Sequence, residues 1–195
     1  MNRTAAVRRT TGETDVEVRI DLDGTGVADA ATGVGFFDHM LVLLARHSLI
    51  DISVTARGDL ETGSHHTVED VGITLGEALD AALGDRSGID RYGAALVPMD
   101  EVLVQVALDL SGRPYLAFDA PLAPMVIGGF ETDLVQEFMR GLSNAARMTL
   151  HMDVLKPGGP HHVIEGCFKA LARALRAAVA PNARVTGVPS SKGSL

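Results

Sequence analysis

From Asp15 to Leu22 the chain alternates without a break: Val16, Val18, Ile20 and Leu22 are apolar, and Asp15, Glu17, Arg19 and Asp21 between them are charged. Successive side chains of a strand point to opposite faces, so this pattern predicts a half-buried strand. Glu101 to Leu110 repeats it through Val102, Val104, Val106 and Leu108, and the two stretches end alike, in Asp21-Leu22-Asp23-Gly24 and Asp109-Leu110-Ser111-Gly112. Elsewhere the period lengthens to that of a helix. Val68, Val71, Leu75, Leu79 and Ala82 follow Ser64, a good N-cap, and stop at Gly84. Ile164, Phe168, Leu171, Leu175 and Val179 run between Pro160 and Pro181. Shorter helices are expected over 38–47 and 132–146, each followed by a strand, over 50–57 and 148–155. The resulting order is strand, strand, helix, strand, helix, twice over. This predicts an α/β (α+β) protein made by internal duplication, with residues 1–92 as the first repeat and 93–195 as the second.

Both long helices open on the same chemistry. His65-His66-Thr67-Val68-Glu69 and His161-His162-Val163-Ile164-Glu165 share the string His-His-x-x-Glu, which composition arithmetic expects only about 0.01 times in such a chain. Residues i and i+4 of a helix share a face, whereas i and i+1 lie roughly 100° apart around the axis. His65 with Glu69, and His161 with Glu165, can each pinch one ion, while His66 and His162 face elsewhere and serve another. Aligning the halves on these strings makes His39 and Glu137 counterparts at the start of the shorter helices. Two sets of four follow: His39, His66, His161 and Glu165 for one ion, and His65, Glu69, Glu137 and His162 for the other. Imidazole and carboxylate ligands without thiolate suit Mn(II) or Fe(II), with Zn(II) as a substitute, and four protein ligands on a six-coordinate ion leave room for substrate and water.

Composition narrows the field. A chain of 195 residues, 46% hydrophobic, can bury a substantial core. Its net charge of −8 argues against a nucleic-acid partner, which demands a basic face. No segment has the length or apolarity of a membrane span or signal peptide, and a lone cysteine, Cys167, fits a reducing compartment, so a cytoplasmic, unprocessed protein is expected. Cys167 falls on the apolar side of its helix, where a packed thiol is expected. Cations for a small anion lie in turn-like sequence: Arg91, Arg113, and Ser190, Ser191 and Lys192 near the C-terminus. Lys169, one turn beyond Glu165, can reach the same pocket as the clamp. His47 ends the first short helix, where it can satisfy free carbonyls or face a substrate.

Phe36-Phe37-Asp38-His39-Met40-Leu41, the two His-His-x-x-Glu strings, Pro98-Met99-Asp100-Glu101, Asp109-Leu110-Ser111-Gly112-Arg113-Pro114-Tyr115, Phe168-Lys169-Ala170 and Pro189-Ser190-Ser191-Lys192-Gly193 together closely resemble the imidazoleglycerol-phosphate dehydratases of histidine biosynthesis, from about Arg9 to the C-terminus. The resemblance implies a duplicated unit like the second domain of ribosomal protein S5, and a homo-oligomer, an octahedral 24-mer, with active sites between subunits. It implies two Mn(II) ions per site and a phosphorylated imidazole diol that is dehydrated to a ketone. By position it puts metal ligands at His39, His65, His66, Glu69, His161, His162 and Glu165, with Glu137 standing where many relatives carry histidine. Substrate contacts fall on Glu13, Arg91, Arg113, Lys169, Ser190, Ser191 and Lys192; apart from the resemblance, the candidate ligands His39, His65 and His161, and His47 by its spacing, are also expected to face the substrate. Catalytic duties fall on Glu13, His66 and Glu165, with Glu13 the candidate for proton transfer. A two-metal phosphoesterase would use similar ligands but release free phosphate, and a metal-storing shell would have no use for Arg113 or the Ser-Ser-Lys segment.

Overall fold

The alternating stretches become the inner strands of two sheets. In the computed structural model, which describes residues 3–193 and 195, the first half contains β1 (Thr4–Thr10), β2 (Thr14–Asp21), β3 (Ala28–Ala31), α1 (Gly35–Ser48), β4 (Asp51–Gly58) and α2 (His65–Leu83). The second contains β5 (Tyr92–Met99), β6 (Val102–Asp109), β7 (Tyr115–Asp119), a small hairpin of β8 (Val126–Ile127) and β9 (Phe130–Glu131), then α3 (Leu134–Ala145), β10 (Thr149–Lys156) and α4 (Pro160–Ala178). The sheet orders are β1-β2-β4-β3 and β5-β6-β10-β7. In each, the last pair is parallel and is joined through a helix, β3 to β4 by α1 and β7 to β10 by α3. The duplicated topology is thus present, with a correction. Each half has three strands of its main sheet before its first helix, not two, and the second half adds the β8–β9 hairpin; the short parallel strands β3 and β7 carry no alternation that marks them.

One face of each sheet is covered by its own long helix: α2 lies on β1 and β2, and α4 lies on β5 and β6. The helices then pack across the halves, α1 against α4 and α2 against α3. Fully buried rings make the cross-links. Phe37 of α1 lies 5.4 Å from Phe138 of α3, and Phe138 lies 5.1 Å from Phe168 of α4, centroid to centroid. The result is one continuous core that includes Val16, Val18, Val104, Val106, Leu75 and Leu171. Cys167 is part of it, and burial pushes its thiol up to about 12. No helix of the described residues is long and apolar enough to cross a membrane.

α2 and α3 approach closely enough that a Cβ at Gly76 would lie 2.7 Å from the carbonyl oxygen of Leu142. That contact sets the first turns of the two helices side by side. Ser64 does precede α2 but does not cap it through its side chain; its hydroxyl donates instead to the Glu131 carboxylate. The two chain halves are therefore tied at the start of α2 by a polar contact as well as by packing.

Candidate active site

Each cluster is built from one long helix and the short helix of the other half. In the first, His161 Nε2 lies 2.9 Å and His39 Nε2 3.5 Å from the same oxygen of Glu165, so α1 and α4 aim two imidazoles at one carboxylate. Lys169 Nζ donates to the other Glu165 oxygen at 2.7 Å. Burial pushes the Glu165 carboxyl up, but Lys169, His161 and His39 together outweigh it and hold it below the ordinary range. Phe36 sets its ring edge-on to that of His161, at 5.0 Å between centroids. Half of each histidine side chain remains exposed, 49% for His39 and 51% for His161, against 10% for Glu165.

In the second cluster His65 Nε2 lies 3.6 Å from Glu69, its i+4 neighbour. α3 contributes Glu137, one turn before Gly141, whose Cβ would sit 3.0 Å from the Glu69 carbonyl oxygen. Glu137 is partly buried, and Arg140 Nη2 lies 3.7 Å from it. Exchange of the halves maps α1 onto α3 and α4 onto α2, so the two clusters are counterparts.

The remaining histidines face away, as their spacing requires. His66 directs Nδ1 at Asp59, at 3.0 Å, and Nε2 toward Glu13, at 3.8 Å. His162 directs Nδ1 at Glu101, at 2.9 Å, and Nε2 toward Asp100, at 4.0 Å. The bond to Asp59 raises His66, and the bond to Glu101 raises His162. The Gly159 N–H and then His162 hold Glu101 down at about 2. Neither sequence-derived set of four is gathered in a single chain: His66 is absent from the first cluster, and His162 from the second. Glu13 sits on the β1–β2 turn, which Arg9 and Thr14 anchor to the buried Asp70 of α2.

The cations form two groups. Arg91 grips Asp109 with Nε and Nη2, at 2.7 and 3.0 Å, and donates Nη1 to the Pro189 carbonyl at 2.7 Å. Arg113, two-thirds exposed, lies 3.7 Å from the same aspartate, so both arginines and the Ser190, Ser191 and Lys192 stretch are brought together. Arg91 itself is buried and occupied; Arg113 and Lys192 are the outward-facing cations. His47 belongs to the other group. With Lys169 and Arg173 it lines a cleft of about 430 Å³ beside Leu96 and Pro98, and burial followed by these two cations lowers its pKa. The groups occupy opposite ends of β5. Asp109 pairs with Tyr92, and Lys169 touches Met99, seven residues away at about 3.3 Å each, roughly 23 Å. The residues that sequence reasoning left without a role are Asp59, Asp70, Asp100 and Glu101. Glu101 lies in a motif string quoted above, whereas nothing in the spacing of Asp59 marks it.

The fold and the site define a duplicated α+β protein with imidazole–carboxylate groups at the starts of both long helices and a separate group of cations around Asp109. A family model described as imidazoleglycerol-phosphate dehydratase matches residues 32–175. The chain belongs to the imidazoleglycerol-phosphate dehydratase family, a family of hydro-lyases. It is 56% identical over 195 residues, all of both chains, to the imidazoleglycerol-phosphate dehydratase of Desulforamulus reducens. It is 57% identical to that of Rhodopseudomonas palustris strain CGA009, over 99% of this chain and 98% of the relative. The crystal structure of the Staphylococcus aureus enzyme superposes with a TM-score of 0.83 at 40% identity, covering 92% of this chain and 99% of that one. The Pyrococcus furiosus enzyme in complex with (S)-C348 gives 0.84 at 39% identity, covering 97% and 100%.

Proposed function

We propose that the chain dehydrates D-erythro-imidazole-glycerol phosphate to imidazole-acetol phosphate, a step of histidine biosynthesis, using two divalent ions per site in a homo-oligomer whose sites lie between copies. The observation that carries this reading is the division of the ligands: His39, His161 and Glu165 converge within one chain, while His66 and His162 point outward from other parts of the surface. A partner's α2 would bring His65, His66, Glu69 and, through α3, Glu137 to face the His39, His161, His162 and Glu165 of the first chain. Closed octahedral assembly, a 24-mer, satisfies such a heterologous contact without leaving open ends.

The donor set fits Mn(II), with Fe(II) or Zn(II) as substitutes, because two imidazole nitrogens converge on a carboxylate and no thiolate is near. Ions held there would supply Lewis-acid charge beside the substrate ring, easing loss of its N–H proton so that ring electrons can expel the adjacent hydroxyl, which takes up a proton and leaves as water. Glu13, exposed at the turn with an oxygen 3.8 Å from His66 Nε2, would take the proton from the carbon bearing the other hydroxyl. Arg113 and Lys192 offer donors for the phosphate, Ser190 and Ser191 add hydroxyls, and Arg91 holds that segment in place through the Pro189 carbonyl. Lys169 helps keep Glu165 ionised and, with Arg173, extends positive charge into the cleft that His47 lines.

Subunit mixing tests the shared site and product analysis tests the chemistry. His66→Ala and Glu165→Ala chains should each be inactive. Refolded together in equal amounts, they should regain activity, because about one quarter of random pairings unite an intact α2 with an intact α4. The product should be a phosphorylated ketone. Inactive mixtures overturn the shared site, and release of free phosphate overturns the dehydration.

A further inference from the structure

The second histidine of each His-His-x-x-Glu string has a feature that the first lacks. His66 Nδ1 lies 3.1 and 3.0 Å from the two oxygens of Asp59, and His162 Nδ1 lies 3.2 and 2.9 Å from those of Glu101. Among the described residues no carboxylate approaches Nδ1 of His39, His65 or His161. The two partners are not copies of one another. Asp59 follows β4 and precedes α2, whereas Glu101 lies in the turn between β5 and β6, sixty-one residues from His162. Different parts of the two halves therefore deliver the same group to the same nitrogen. Both carboxylates are fixed in turn, Asp59 by the Thr62 hydroxyl at 3.1 Å and Glu101 by the Gly159 N–H at 2.9 Å.

A neutral imidazole carries one proton, and the nitrogen that keeps it cannot bind a metal. A carboxylate at Nδ1 accepts that proton as a hydrogen bond, leaves the Nε2 lone pair free, fixes the ring plane and makes Nε2 a stronger donor. Asp100, Glu101 and His162 also bring ligand atoms within 4.8 Å of one another. Glu101 nonetheless already serves two hydrogen-bond donors, which marks it as an orienting group and not a third metal ligand.

We propose that Asp59 and Glu101 are positioning residues: they hold His66 and His162 as Nδ1–H tautomers with Nε2 free, so that each presents one preformed ligand to the cluster of a neighbouring chain. This rests on the metal-dependent reading above. It explains why the two histidines that reach out of their own chain, with no cluster of their own to orient them, are the ones given a second carboxylate.

The test uses the full-length protein labelled with ¹⁵N-histidine at about pH 8.5, where imidazoles are neutral, together with Mn(II) titration. Long-range ¹H–¹⁵N correlations should show His66 and His162 as Nδ1–H. Glu101→Ala should shift His162 alone toward Nε2–H and weaken one Mn(II) by about 10–100-fold. Asp59→Ala should do the same to His66 and the other ion. Glu101→Gln, whose carbonyl still accepts from Nδ1–H, should keep the tautomer and lose less affinity, which separates orientation from misfolding. An unchanged His162 tautomer or an unchanged Mn(II) affinity in Glu101→Ala overturns the inference. A wild-type protein that binds no Mn(II) overturns the metal reading itself.

Discussion

Gly76→Ala probes the close α2–α3 contact, which packs the helix carrying Glu137 against the one carrying His65 and Glu69. A Cβ at this position would lie 2.7 Å from Leu142 O, 2.7 Å from Ala145 Cβ and 2.8 Å from Ala146 N. Heavy atoms at an optimal contact are about 3.5 Å apart, so α2 and α3 must separate by roughly 0.7 Å. Two of the three neighbours are backbone atoms of α3 and its end, and no rotamer change relieves them. Overpacking costs about 1–3 kcal/mol, and an unyielding backbone puts this site at the upper end. Alanine's helix preference returns about 1 kcal/mol. The net loss is about 2 kcal/mol, a fall in Tm of about 4–8 °C for a chain of this size. Thermal unfolding at one fixed protein concentration measures it. Gly35→Ala is the control: its Cβ meets nothing within 4 Å, and its effect should stay within about 0.5 kcal/mol. A Mn(II) titration should show the His65 and Glu69 cluster weakened and the His39, His161 and Glu165 cluster intact. A Tm for Gly76→Ala equal to or above that of the wild type would refute the packing argument.

Glu137→Gln should weaken one of two ions, because an amide keeps the shape but not the charge that a hard cation favours, and Glu137→His should largely restore it; unchanged stoichiometry and affinity would leave Glu137 a solvated helix residue. Arg91→Ala removes a charge-assisted bond to the Pro189 carbonyl and should speed amide exchange over residues 188–193 about tenfold or more, whereas Arg113→Ala should leave that exchange as it is. Arg8 and Thr10 hold Asp15 at about 2, below its ordinary 3.8. The contribution of this exposed contact is therefore present above pH 3.8 and lost as pH falls toward 2. Carboxyl-carbon NMR should show the low value in the wild type and a rise toward the ordinary one in Arg8→Ala, with Thr10 still holding it down in part, and an ordinary value in the wild type would remove the contact from the account.

The elements legible in the sequence are those with one buried and one wet face. β2 and β6 alternate because Val16, Val18, Val104 and Val106 enter the core while their neighbours stay on the other face, charged in β2 and, in β6, Leu103, Gln105 and Ala107. β1 is an edge strand with no fully buried residue, so its pattern carries little signal. β5 exposes Tyr92 and Leu96, contains Gly93 and Pro98, and is apolar on both sides. β3 is four residues long and mostly alanine. The site divides in the same way. His-His-x-x-Glu is local and dictated by helix geometry, so the clamps and the divergence of His66 and His162 follow from spacing alone. Asp59 and Glu101 act from turns, and no periodicity connects a turn to the ring that it orients.

The crossed packing of the helices explains why the duplication did not leave two independent sites. The first cluster takes His39 from the first half and His161 and Glu165 from the second; the other takes His65 and Glu69 from the first and Glu137 from the second. Each half alone would expose the helix faces that now bury Phe37, Phe138 and Phe168, and would retain only the i, i+4 pair of either cluster. Two neighbouring histidines on one helix cannot both face one ion, because they diverge by roughly 100°. A chain built this way completes three quarters of a set by crossing its halves and reaches outward with the remaining histidine. The same angle that separates His65 from His66 turns His66 away from the cluster of its own chain, and on the proposed shared-site reading it couples the chemistry to assembly.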